Sequence, residues 1–164
     1  MRLVTGLFRD RSSAERAYQS VVARGYEASD VSLVMSDETR HRCFADEGQL
    51  QKSAASKLGG PLGGSLGTVG AALAALSTVA VLPGLGIVVA GPIAAALVAA
   101  GSVGLAGGVI TALTHWGIPE ARVEQYGAAI REGGILMGVM AHSDEDAAQF
   151  EQQWRASGGE HVYS

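Results

Sequence analysis

The chain has 164 residues and a net charge of −4, with a pI near 5.5, and no basic run with interleaved aromatics appears. A nucleic-acid surface is excluded on that balance, because phosphate contacts are made by clustered Lys and Arg. The single cysteine, Cys43, excludes an internal disulfide. Residues 1–9 meet charge too early to hold a signal-peptide core, which points to a cytoplasmic location.

Residues 2–8 are short, apolar and β-leaning, and they stop at Arg9-Asp10-Arg11, as a first strand would. Ser12-Ser13-Ala14-Glu15 has the form of a capping box opening a helix, with Ser12 as the cap and Glu15 reaching back. Ala14, Ala17, Tyr18, Val21 and Val22 form one helical face, and Gly25 stops it. Val31, Leu33 and Met35 alternate with Ser32, Val34 and Ser36 as a second strand. Residues 37–57 are polar and without clear period, and read as an exposed connector. Within them His41-Arg42-Cys43 could suggest a reactive thiol or a ligand pair, but no further residue with ligand spacing accompanies it.

Residues 58–119 carry no Asp, Glu, Lys or Arg. Roughly 20 apolar residues cross a bilayer as a helix, and this run has room for two such spans around the break Leu82-Pro83-Gly84-Leu85-Gly86. The expectation is a helical hairpin, with helix A over about 58–82, a turn at Pro83, Gly84 and Gly86, and helix B over about 91–116. Small residues fall four apart on each arm. On A these are Gly59, Gly63, Gly67, Ala71 and Ala75, and on B they are Ala96, Ala100, Gly104, Gly108 and Ala112. Such strips let backbones approach closely, the small-xxx-small pattern or glycine zipper of helix pairing.

A flexible linker would lack Leu73, Leu76, Val79, Val81, Ile87, Val88, Val89, Ile93, Leu97 and Val98, which need cover from water. Two covers are open. One is a lipid bilayer. The other is further copies of the chain in a soluble homo-oligomer, since alanine and glycine are poor lipid solutes. Lys52 and Lys57 before arm A and Arg122 after arm B fit a membrane hairpin with both termini on the cytoplasmic face of the inner membrane, and His115-Trp116 would suit an interface or a packed helix end.

Past the insert, Pro119 and Glu120 open a helix with Val123, Tyr126, Gly127 and Ile130 on one face, ended by Gly133-Gly134. Residues 135–141 are a strongly apolar strand, central in its sheet. Ser143-Asp144-Glu145-Asp146 caps a helix whose Ala147, Phe150 and Trp154 face inward, and Gly158-Gly159 releases the chain into a last strand over 160–163. The element order predicts an α+β, ferredoxin-like (split β-α-β) domain, interrupted between its second and third strands by the hairpin. Residues 1–57 supply its first half plus connector, 58–116 the insert, and 117–164 its second half with an extra helix.

His142 beside Asp144-Glu145-Asp146 could be read as a metal site, although acidic residues at a helix N-terminus need no ion. No phosphate-binding glycine loop and no nucleophile triad is present. The residues thus indicate no enzyme, no cofactor and no metal. Val4-Thr5-Gly6-Leu7-Phe8 with Ala14-Glu15-Arg16-Ala17, and Gly117-Ile118-Pro119-Glu120-Ala121 through Tyr126 to Gly133-Gly134-Ile135-Leu136, resemble the bacterial general-stress, heat-induced-stress family, whose members flank a glycine-rich low-complexity centre with two half-domains. The resemblance implies a stress-induced, often membrane-annotated protein without established catalytic residues. Two functions stay open: a self-associating stress protein at the membrane, or a soluble homo-oligomeric module sensing a small ligand or ion.

Overall fold

The computed structural model describes residues 2–43, 79–82, 87–92, 114 and 118–164. Among the described residues the principal elements follow in the order β1 (Arg2–Phe8), α1 (Arg11–Val22), β2 (Val31–Ser36), β3 (Val79–Leu82), β4 (Ile87–Ala90), α2 (Glu120–Arg131), β5 (Ile135–Ala141), α3 (Asp144–Ala156) and β6 (Glu160–Tyr163). The protein is α+β. Its strands form one six-stranded sheet in the order β3-β4-β2-β5-β1-β6, with every neighbouring pair antiparallel.

β5 lies between the two N-terminal strands. It pairs with the whole of β1, from Arg2↔Ala141 to Phe8↔Ile135, and with β2 from Val31↔Val139 to Val34↔Leu136. Since both run antiparallel to β5, β1 and β2 are parallel to each other and α1 is their crossover. By the same reasoning β5 and β6 are parallel across β1, joined by α3. The two halves of the chain therefore share one sheet.

Both sheet faces are covered, so the strands read as continuous apolar runs; β1 is buried from Leu3 through Phe8. On one face Ala14, Ala17, Tyr18 and Val21 of α1 and Ala147, Phe150 and Trp154 of α3 pack on Val4, Phe8, Leu33, Met137 and Val139. On the other, Val123, Tyr126 and Ile130 of α2 cover Leu3, Leu7, Val34 and Leu136. Full burial of each large apolar side chain contributes about 1.5–3 kcal/mol. Gly6 makes the first face possible, because a Cβ there would lie 2.8 Å from the Trp154 ring.

Several helix ends lie at the residues whose sequence signals predict them. Ser143 caps α3 by accepting from the Asp146 amide, and Gly25 and Gly133, at φ +84° and +103°, follow α1 and α2. Three expectations need correction. The cap of α1 is Asp10, whose carboxylate accepts from the Ser13 amide at 2.8 Å, and not Ser12 of the expected box. Residues 37–43, expected as connector, are helical, with the Ser36 hydroxyl accepting from the Thr39 amide at 3.0 Å.

The third correction is larger. Residues 79–82, expected as the end of helix A, are strand β3, and residues 87–90, expected as the link into helix B, are strand β4. The hairpin here is a β-hairpin whose second strand pairs with β2. Val79, Val81, Ile87, Val88 and Val89 are β-branched, and β2 offers an open ladder, so pairing outweighs the helical reading of an apolar run. Of helix B, Pro92 and Thr114 are described and both are helical.

Candidate functional site

The expected helix-packing residues Gly59, Gly63, Gly67, Ala71, Ala75, Ala96, Ala100, Gly104, Gly108 and Ala112 lie outside the described residues, as do Pro83, Gly84 and Gly86 of the turn and His115-Trp116. What is described is the place where the charge-free run joins the sheet. β4 lies on β2 from Leu33↔Ala90 to Ser36↔Ile87, and β3 lies on β4 from Val79↔Ala90 to Leu82↔Ile87. Because Val79 is opposite Ala90, the chain enters β3 and leaves β4 side by side.

The strand alternation sends β4 into both layers: Val88 and Ala90 join the α1/α3 core, and Val89 joins the α2 core. All three are buried. At the exit, Gly91 takes φ +90°, and a Cβ there would sit 2.2 Å from the Val31 carbonyl oxygen. Only glycine fits that passage, since it combines a left-handed backbone with close approach to β2. The run is thus fastened into the domain at its middle.

A polar cluster occupies another part of the surface. The Tyr26 hydroxyl donates to Asp146 Oδ2 at 2.8 Å and accepts from the His142 amide at 2.9 Å, while Arg24 Nη1 donates to Asp146 Oδ1 at 2.8 Å. The His142 ring stacks on Tyr26 with centroids 4.4 Å apart, its Nε2 is 3.9 Å from Asp30 Oδ1, and the Arg24 guanidinium lies over Phe150. The Tyr26 hydrogen bond foremost, then those from Ser143 and Arg24, holds the Asp146 carboxyl below its usual value, whereas burial pushes the Tyr26 hydroxyl up. Asp146 stays ionised and Tyr26 stays protonated, each committed to the other. The arrangement ties the end of α1 to the start of α3, and the Asp146 carboxylate and Tyr26 hydroxyl are both engaged in it.

The metal reading of this stretch finds no gathering of ligands. Asp146 turns to Arg24 and Tyr26, Asp144 lies 3.8 Å from Arg2, and His142 faces Asp30. Among the described residues no group of three or more His, Cys, Asp or Glu could hold a metal ion. His161 belongs to β6, where its carbonyl accepts from the Tyr126 hydroxyl at 2.8 Å. His41 lies 3.6 Å from Asp37, and half-buried Cys43 packs on the α1/α3 core while its carbonyl accepts from Arg11. Tyr26, Arg24 and Asp30 were not singled out by sequence, because their partners Asp146 and His142 are more than a hundred residues away.

No family model, no curated protein and no solved structure matches the chain. Among the described residues no helix is long and apolar enough to cross a membrane.

Proposed function

We propose that this chain is a non-enzymatic, self-associating protein of the bacterial general-stress type, in which a ferredoxin-like head presents the charge-free run to neighbouring copies. The head is β6-β1-β5-β2 with α1 and α3; β3, β4 and α2 are additions to it. The observation that carries the reading is the fastening of the run at β3 and β4. Residues 58–78 and 93–117 remain as two charge-free stretches on either side, rich in alanine, glycine and leucine. Apolar surface of that extent needs cover.

The same fastening favours copies of the chain over lipid as the cover. A stretch that leaves the sheet and returns to it would have to cross a bilayer twice, which takes roughly 40 residues, and neither residues 44–78 nor residues 91–117 are that long. The small-residue strips are the contact surface in this reading, since they let helices close enough for many weak dispersion contacts to add up. Detergent-free lysis followed by ultracentrifugation tests the cover: the protein is expected in the supernatant, and recovery only from the membrane pellet overturns the choice of copies over lipid. Gly63→Leu with Gly104→Leu is expected to lower the assembled mass measured by light scattering while leaving the head's circular dichroism unchanged. An unchanged mass would remove the strips from the interface.

A further inference from the structure

β6 meets β1 out of step. Thr5 is opposite Tyr163 and Leu7 is opposite Glu160, so a regular ladder drawn from Thr5 would set His161 against Leu7, and β6 holds one residue too many. The excess is taken up at His161, whose φ of +50° makes it the one non-glycine residue at positive φ among the described residues. A bulge with a left-handed residue favours glycine there, and any other residue is held under strain. Beyond the bulge the strand is anchored: Val162 is buried in the α1/α3 layer, and the Arg122 guanidinium lies 4.4 Å over the Tyr163 ring. Before it the hold is weaker. Glu160 pairs with Arg9 at 2.8 Å, but both side chains are exposed, and such a pair contributes little.

We infer that β6 has two registers on β1 and that the Tyr126 hydroxyl is the latch that selects the bulged one. That hydroxyl donates to the His161 carbonyl at 2.8 Å, which leaves Thr5 Oγ1, 3.2 Å away, to donate to it in turn. The bond runs from α2 to the strained residue itself. A non-glycine residue at positive φ costs about as much as one buried hydrogen bond returns, so without the phenol the bulged and regular ladders lie close in free energy. In the regular register His161 faces Leu7 and Glu160 falls back to the level of Phe8. Gly158 and Gly159 precede the strand and have the backbone freedom to take up the shift, Gly158 being already at φ +91°. The change is confined to one end of the strand, since Tyr163 stays opposite Thr5 in both registers. Its effect is to exchange an acid for an imidazole beside Leu7, at the margin of the α2 layer.

Glycine and alanine at position 161 report the strain with the imidazole absent from both, because glycine is the better residue at positive φ and the poorer one in a regular strand. With Tyr126 in place, His161→Gly is expected to melt several degrees above His161→Ala. In the Tyr126→Phe background that difference should shrink by at least half or reverse. A hydroxyl that served stability alone would lower every melting temperature and leave the difference unchanged, and that result overturns the latch. Alanine melting at or above glycine with Tyr126 present overturns the strain on which it rests. In the Tyr126→Phe chain with His161 retained, the cross-strand nuclear Overhauser contact of Leu7 should pass in part from Glu160 to His161; a contact confined to Glu160 overturns the second register. Should Tyr126→Phe not fold, Thr5→Val is added to remove the hydroxyl left without its partner, and the comparison is made in that chain. If that chain also fails to fold, β6 has no second register to adopt and the inference falls.

Discussion

The two faces of the sheet are built on different terms. The face under α1 and α3 is an aromatic layer: Phe8 meets Trp154 edge-on at 5.7 Å, and Tyr26 meets Phe150 at 5.1 Å. The face under α2 is aliphatic and has a polar pin at its centre, where the Tyr126 hydroxyl lies 3.2 Å from Thr5 Oγ1 and donates to the His161 carbonyl. The first face gains from area and ring geometry, the second from one satisfied buried network. A variant should therefore act through volume on one face and through hydrogen bonding on the other.

Trp154→Ala should have the largest effect, a loss of about 3–5 kcal/mol, measured as a fall in the denaturant midpoint. Trp154→Phe sharpens the point. Among the described residues the buried Trp154 Nε1 has no hydrogen-bond partner, so the smaller ring should retain most of the stability, and a loss equal to that of alanine would show the indole N–H to matter. Next comes Gly91→Ala, at the end of the strand that feeds both faces. A left-handed non-glycine residue costs on the order of 1–3 kcal/mol, and the Val31 carbonyl must also move. The expected signature is faster amide exchange in β4 with β1 and β5 unchanged.

Tyr126→Phe should cost about 1–2 kcal/mol by leaving Thr5 and the His161 carbonyl short of a partner, and Thr5→Val in the same chain should recover part of it. The smallest effect is electrostatic. Asp146 is held below its ordinary value of 3.8 in the folded protein, and so is Asp10, chiefly by the Ser13 amide. The unfolded chain therefore binds protons first as pH falls, and the stability these carboxylates contribute is intact above about pH 3.8 and lost below it. Acid titration of Asp146→Asn should be flatter than wild type in that window; identical curves would remove the Tyr26–Asp146 bond as a source of acid sensitivity.

Seven of the elements were legible because each carried its own punctuation. Ser143 and Pro119 mark helix starts, and for α1 the signal lay two residues earlier than the Ser12 box, at Asp10; Gly25, Gly133 and Gly158 take φ of +84°, +103° and +91° where chains turn back. β5 was legible as central because its apolar run is unbroken. β3 and β4 were not, since an uncharged run of valine, alanine and glycine fits a helix or a strand equally well, and the deciding fact is the free ladder of β2. The helical stretch at residues 37–43 has a weaker sign: Ser36 followed by Asp37-Glu38 is a cap with acids in the first turn. The Tyr26 cluster had no local sign at all.

The position of β5 has a consequence for the order of events during synthesis. β1 and β2 do not pair with each other, and their common partner is made last but one among the strands. At ~5–20 residues per second, many seconds separate the emergence of β1 from that of residues 135–141. Throughout that interval β1 has no strand to pair with, since β5 and β6 are still to come, while β2 has only β4 of the charge-free run. The β1 side of the sheet therefore cannot form before residues 135–141 are made, whatever the rest of the chain has done by then.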